Sequence, residues 1–196
     1  MTSSTQQYQP TLAKGFAKSL IGVLMLLCVS LPAWSAEFKI ESVDSELRDG
    51  VYHLDARFDL QFSKAMQSAL LNGVTLVIGA QIELKRPRRY WMDEDIATLE
   101  QRYSINYHLL SRQYLVTDLN TEIQRNFHSF DAAVDFLNSG RELPSINAGF
   151  LDPDLAYLAY IRVYLVRSEL PLALKAKAYS LRSWKAASPW SLWQIQ

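Results

Sequence analysis

Over residues 52–62 apolar and polar side chains alternate without a break, with Tyr52, Leu54, Ala56, Phe58, Leu60 and Phe62 set against His53, Asp55, Arg57, Asp59 and Gln61. Period two over such a length predicts a strand with one face in a core and the other in water. Asp49-Gly50 just before it is a turn signal, so residues 38–43 are expected to form the first arm of a hairpin. A second alternating run covers residues 74–85, where Leu76, Ile78, Ala80, Ile82 and Leu84 share one face with Thr75, Gly79, Gln81, Glu83 and Lys85 on the other. Between the two runs, Ser63 predicts an N-cap for a short helix over Lys64–Leu71 that stops at Asn72-Gly73 and turns Ala65, Ala69 and Leu70 inward.

The pattern then becomes ambiguous: Ile96, Leu99 and Tyr103 suit a helix, whereas Ile105, Tyr107 and Leu109, then Tyr114 and Val116, suit strands at 104–110 and 113–118. Ser129 predicts a second helix over residues 130–137, with Phe130, Ala133, Val134 and Leu137 as its apolar face and Asn138-Ser139-Gly140 as its stop. Pro144, Asn147, Gly149 and Asp152-Pro153 mark a loop at 143–153. Residues 157–167 and 172–181 read as strands, the latter because Leu174, Ala176 and Ala178 alternate with Lys175 and Lys177, and residues 190–195 add an edge strand. About seven strands with two short helices predict a mainly β, α+β chain. The expected form is an antiparallel β-sandwich or a strongly bent sheet, because such helices are too few and short for parallel crossovers.

The first 35 residues break this pattern. Lys14 and Lys18 are their only charges, residues 19–31 are almost uniformly apolar, and Pro32-Ala33-Trp34-Ser35-Ala36 follows. That is the layout of a signal peptide, and the run is short of the ~20 residues a membrane span needs. Residues 1–35 are therefore expected to be a signal peptide cut after Ser35, with an uncleaved inner-membrane anchor as the alternative, and 36–196 a single periplasmic domain. Cys28, the one cysteine, lies in the apolar run after Leu27, where a lipoprotein signal needs a small residue. The exported domain would then hold no thiol, and its stability would rest on apolar burial. Equal numbers of acidic and basic residues, 20 each, argue against nucleic acid as a partner.

Several residue groups carry a resemblance. They are Ala69-Leu70-Leu71-Asn72-Gly73-Val74, Arg86-Pro87-Arg88 with Tyr90-Trp91, Tyr107-His108-Leu109-Leu110-Ser111-Arg112-Gln113-Tyr114, Leu170-Pro171-Leu172, and Trp184 with Ser188 and Trp190. Together they resemble a domain-of-unknown-function family (DUF4390) of exported proteins from Gram-negative bacteria, sometimes labelled proline-rich signal peptide proteins. The resemblance implies a place outside the inner membrane and genes near those of a membrane sensor kinase and its response regulator. It carries no activity. Tyr90 and Met92 depart from relatives that place more tryptophans around Trp91.

Two surfaces are candidates for binding. Lys85, Arg86, Arg88 and Arg89 beside Tyr90 and Trp91 could clamp an anionic group of a partner, or pair with the following Asp93-Glu94-Asp95. Tyr107, His108, Arg112 and Tyr114 form a second polar and aromatic group, in which His108 could in principle act as a general base but has no nucleophile or metal site to serve. Asp152 and Asp154 flank Pro153 as turn residues rather than as a catalytic pair. Trp184, Trp190 and Trp193 are expected to close the core, or else to form an exposed aromatic platform. No catalytic residue, metal or cofactor is expected. The chain reads as a non-enzymatic binding or accessory domain that meets a protein at the inner membrane or cell envelope, with anionic lipid as the alternative partner and an enzyme third.

Overall fold

The computed structural model describes residues 37–90, 92–140, 143–144 and 146–194. The proposed leader, its cleavage site and Trp91 lie outside the described residues. Strands β1 (Glu37–Arg48) and β2 (Val51–Gln61) form the predicted hairpin, longer at its turn than the pattern suggested. Asp49 and Gly50 both take positive φ, 52° and 76°, as a two-residue primed turn requires, and Arg48 faces Val51 across it. Leu54, Ala56, Phe58 and Leu60 are buried, as the alternation predicts.

Helix α1 (Lys64–Leu71) begins where Ser63 Oγ accepts a hydrogen bond from the Met66 amide at 3.2 Å and ends as Gly73 turns to φ 80°. Met66, Ala69 and Leu70 are its buried residues, while Ala65 is half-buried. Strands β3 (Leu76–Arg86), β4 (Glu94–His108), β5 (Gln113–Asp118) and β6 (Gln124–Phe127) follow, and then helix α2 (Phe130–Asn138), capped by Ser129. The remaining elements are β7 (Ile146–Asn147), β8 (Leu158–Leu165), helix α3 (Leu172–Ser180) and β9 (Ser191–Gln194).

The strands form two antiparallel sheets, β1-β2-β7 and β6-β5-β4-β3-β8-β9. Side chains of both sheets and of all three helices share one hydrophobic core. A chain of rings crosses it: Phe38 on β1 lies 5.5 Å from Phe62, Phe62 lies 5.5 Å from Phe130 on α2, and Phe130 lies 5.7 Å from Tyr114 on β5. Large aromatics bury much area at each contact, so this chain joins the small sheet to the large one through α2. Helix α2 also covers the free edge of β2, where the Leu60 amide donates to Asn138 Oδ1 at 3.1 Å. The architecture is mainly β and sandwich-like, as the pattern predicts.

Three local readings are corrected. Residues 172–181 are not a strand: Leu172–Ser180 is α3. Leu174 and Ala178 lie four apart, a spacing that puts them on one face in either period. The strong helix propensity of Leu, Ala and Lys after Pro171 decides the outcome, leaving Ala176 exposed. The helix-like spacing of Ile96, Leu99 and Tyr103 belongs to β4. Leu84 pairs with Ala97 and Lys85 with Asp95, so Ile96 is the extra residue of a β-bulge that shifts the period of two by one. The loop at 143–153 contains β7 and a short 3₁₀ turn at Ala148–Phe150. With β6, which has no apolar alternation of its own, the strands among the described residues number nine rather than about seven.

Candidate functional site

The inner face of the large sheet is core; its outer face is open and carries the chemistry. Register sets four rows across β4, β3 and β8 on that face: Arg102, Gly79 and Tyr164; Glu100, Gln81 and Arg162; Thr98, Glu83 and Tyr160; and Asp95, Lys85 and Leu158. In the middle, the Arg162 guanidinium is held between two rings, 5.0 Å from the centroid of Tyr164 and 4.5 Å from that of Trp190. Its Nε and Nη2 both donate to Gln81 Oε1, at 3.0 and 2.6 Å, and Gln81 Nε2 in turn donates to Glu83 at 3.0 Å. Stacking fixes the plane of the guanidinium, and the amide oxygen fixes its rotation in that plane.

Tyr164 donates its hydroxyl proton to Glu100 Oε1 at 2.6 Å. Burial first, and then this carboxylate, push the Tyr164 hydroxyl up to about 12. It therefore remains a neutral donor throughout the ordinary pH range. The contact depends on Gly79, because a Cβ there would stand 3.1 Å from both Tyr164 Cζ and Glu100 Oε1.

Two hollows flank the Arg162–Trp190 stack. The first, of about 600 Å³, is lined by Glu83, Lys85, Met92, Asp93, Asp95, Tyr160 and Trp190. Lys85 bridges Glu83 at 3.1 Å and Asp95 at 3.0 Å, and these hydrogen bonds, Asp95 first, raise its pKa. The second, of about 510 Å³, is lined by Arg162, Tyr164, Leu165, Arg167, Tyr179, Lys185, Ala186 and Ala187. It has three cations and no carboxylate in its wall. Arg167 lies over the Tyr179 ring at 4.7 Å, as Arg162 does over Tyr164. Among the described residues no carboxylate makes an ion pair with Arg162, Arg167 or Lys185. One end of the open face is thus acidic with an internal lysine, and the other is basic and unneutralised.

Apart from Lys85, which lines the first hollow, the two surfaces read from sequence fall elsewhere. Arg86 and Arg88 both reach Glu94 Oε2, Arg88 at 2.7 Å, and these contacts, that of Arg88 first, hold the Glu94 carboxyl below its usual range. The adjacent acids thus occupy two of the three arginines of the proposed clamp. Arg89 lies 5.7 Å from the Tyr90 ring, and Tyr90 is 83 % exposed. In the other group, Tyr107 and Tyr114 face each other across β4 and β5 with centroids 4.9 Å apart, and Tyr114 packs against the core. His108 Nδ1 lies 2.9 Å from Ser111 Oγ, and Arg112 takes φ 53° in the same turn, so both serve the β4–β5 connection. Asp152 Oδ1 accepts from the Asp154 amide at 3.0 Å in a turn. Trp184 is buried in the core, Trp193 packs against it, and Trp190 alone of the three stacks on the open face.

Sequence reading missed Arg162, Arg167, Tyr179 and Lys185. The polar places of 157–167, which hold Tyr160, Arg162 and Tyr164, were the available signal. Among the described residues no cluster of His, Cys, Asp and Glu could hold a metal ion, and no helix is long and apolar enough to cross a membrane.

Residues 35–194 match the family described as a domain of unknown function (DUF4390), and the chain belongs to that family. No curated protein and no solved structure matches it.

Proposed function

We propose that this member of the DUF4390 family is an exported, non-enzymatic binding domain that takes an anionic group of a partner in the cell envelope. The group would enter the basic hollow on the open face of its large sheet. The observation that carries the reading is the wall of that hollow: Arg162, Arg167 and Lys185 converge without a carboxylate, and each guanidinium lies against a tyrosine ring. An arginine stacked in this way loses little further freedom when it binds, and it presents paired donors that match phosphate or carboxylate oxygens. Nothing in the wall offers a nucleophile beside a base, which favours recognition over covalent chemistry.

Inorganic pyrophosphate is a suitable probe. Added to the labelled protein, it should give saturable shifts of the Arg162 and Arg167 side-chain Nε–H signals and of the Lys185 amide. The Arg162 shift should vanish in the Arg167→Gln, Lys185→Gln double variant, whose fold is checked by its amide spectrum. Shifts that stay the same in the double variant, or that spread evenly over surface lysines, would remove the hollow as the site.

Export rests on the short apolar run at 19–31 and the small residues before Ala36. The chain recovered from the periplasm should have the mass of one beginning at Ala36. A chain found only with its leader, in the membrane fraction, would replace the cleaved signal by an anchor.

A further inference from the structure

The segment that walls one side of the basic hollow has a second property that the hollow does not need. Helix α3 buries only Ala178 of its nine residues. Leu172 is 84 % exposed, Tyr179 56 % and Leu181 49 %. Leu172 and Tyr179 lie seven apart, two turns along the same stripe of the helix. Lys175 and Lys177 stand between them in sequence, and Arg182 and Lys185 follow. From Arg167 to Lys185 there are five basic residues and one acid, Glu169, which is occupied by Arg102 at 2.8 Å.

Exposed leucines interleaved with lysines, with a tyrosine among them and no unpaired acid, are suited to an anionic bilayer surface. Apolar and basic residues are mixed around the helix rather than split into two faces, so the contact is that of a mixed patch in which leucines enter the headgroup boundary, ammonium groups meet lipid phosphates and tyrosine is at home at that depth. A protein groove fits less well. A nine-residue helix is only about 14 Å long, and a stable protein interface buries ~800 Å² on each side.

We infer that α3 and the residues after it dock the domain on an anionic phospholipid surface, with Leu172, Tyr179 and Leu181 entering the headgroup layer and Lys175, Lys177 and Lys185 meeting lipid phosphates. The lipid contact is thereby placed on a different segment from the Arg86 and Arg88 pair, whose charge is already taken up by Glu94. It also goes beyond the anion reading of the hollow, because the exposed leucines support it independently.

The test is co-sedimentation of the protein with vesicles of equimolar phosphatidylglycerol and phosphatidylcholine, and with phosphatidylcholine alone. Binding is expected to the first and not to the second, and to fall as salt rises. Each lysine near such a surface contributes roughly fivefold, so Lys175→Gln with Lys177→Gln should weaken binding roughly twenty-five-fold. Leu172→Ser with Leu181→Ser should also release the protein while leaving its melting curve and its pyrophosphate shifts unchanged. Equal binding to neutral vesicles, or no binding to anionic ones, would overturn the inference. Pyrophosphate binding without vesicle binding would overturn it while leaving the hollow as a site. Capture of an envelope protein that depends on Leu172 and Leu181, without vesicle binding, would replace the lipid by a protein groove. Vesicle binding without pyrophosphate shifts would support the dock and remove the hollow.

Discussion

Trp184→Ala should unfold far more readily than the parent chain, with a loss of about 3–5 kcal/mol in chemical denaturation, the range for removing a buried tryptophan or phenylalanine. Trp184 is 3 % exposed and sits in the core cluster. The residue before it is tied to the N-cap of α1, since Ser63 Oγ donates to the Ser183 carbonyl at 2.7 Å. Trp190→Ala is the contrasting variant. At 39 % exposure it stacks on the Arg162 guanidinium and is no part of the core cluster, so about 1–2 kcal/mol should be lost, less than at Trp184. Its effect should appear instead as weaker pyrophosphate binding, because Arg162 loses one of its two rings. Equal destabilisation by the two changes would place Trp190 in the core and remove the stacked arginine as a recognition element.

The second large effect is expected at Gly140. Its φ is 51°, and a Cβ added there would lie 2.3 Å from the Ala56 carbonyl oxygen and 2.9 Å from its carbon. These are backbone atoms of β2, which cannot swing aside as a side-chain tip can. Gly140→Ala should therefore add overpacking to left-handed strain and cost about 3–5 kcal/mol. Gly73 isolates the strain: φ is 80° and nothing lies within 4 Å of the added atom, so Gly73→Ala should cost about 1–2 kcal/mol. Denaturant midpoints of the two variants check this. Similar losses at both positions would mean that α2 can retreat from β2, contrary to the close approach of its C-terminal end.

Where side chains alternate or a cap sits next to an apolar run, sequence alone located the elements. The β1–β2 turn at Asp49-Gly50, the Ser63 and Ser129 caps, and the inner faces of β2 and β3 all follow from contacts within a few residues, so the chain's own order carries them. The α3 error is of a local kind too. Leu174 and Ala178 satisfy both periods, and the helix propensity of the Leu, Ala and Lys residues around them, itself in the sequence, settles which one holds. Ile96 misleads for a different reason, since a bulge is a property of two paired strands and leaves no local mark on one of them.

The surface chemistry was less legible than the fold. The Arg86 and Arg88 charges stood out in the sequence because they are adjacent, but adjacency also supplied Glu94 to neutralise them. The hollow of Arg162, Arg167 and Lys185 draws on β8, the turn after it and the segment after α3, whose residues no run or spacing connects. Trp190 reaches Arg162 only because β9 pairs with β8, bringing the C-terminal segment across the sheet. By itself the sequence determined the mainly β architecture and the caps and turns, all of which depend on local composition and periodicity. The tertiary structure alone decided which charges meet no carboxylate and which aromatics are core, because both depend on distances between residues far apart in the chain.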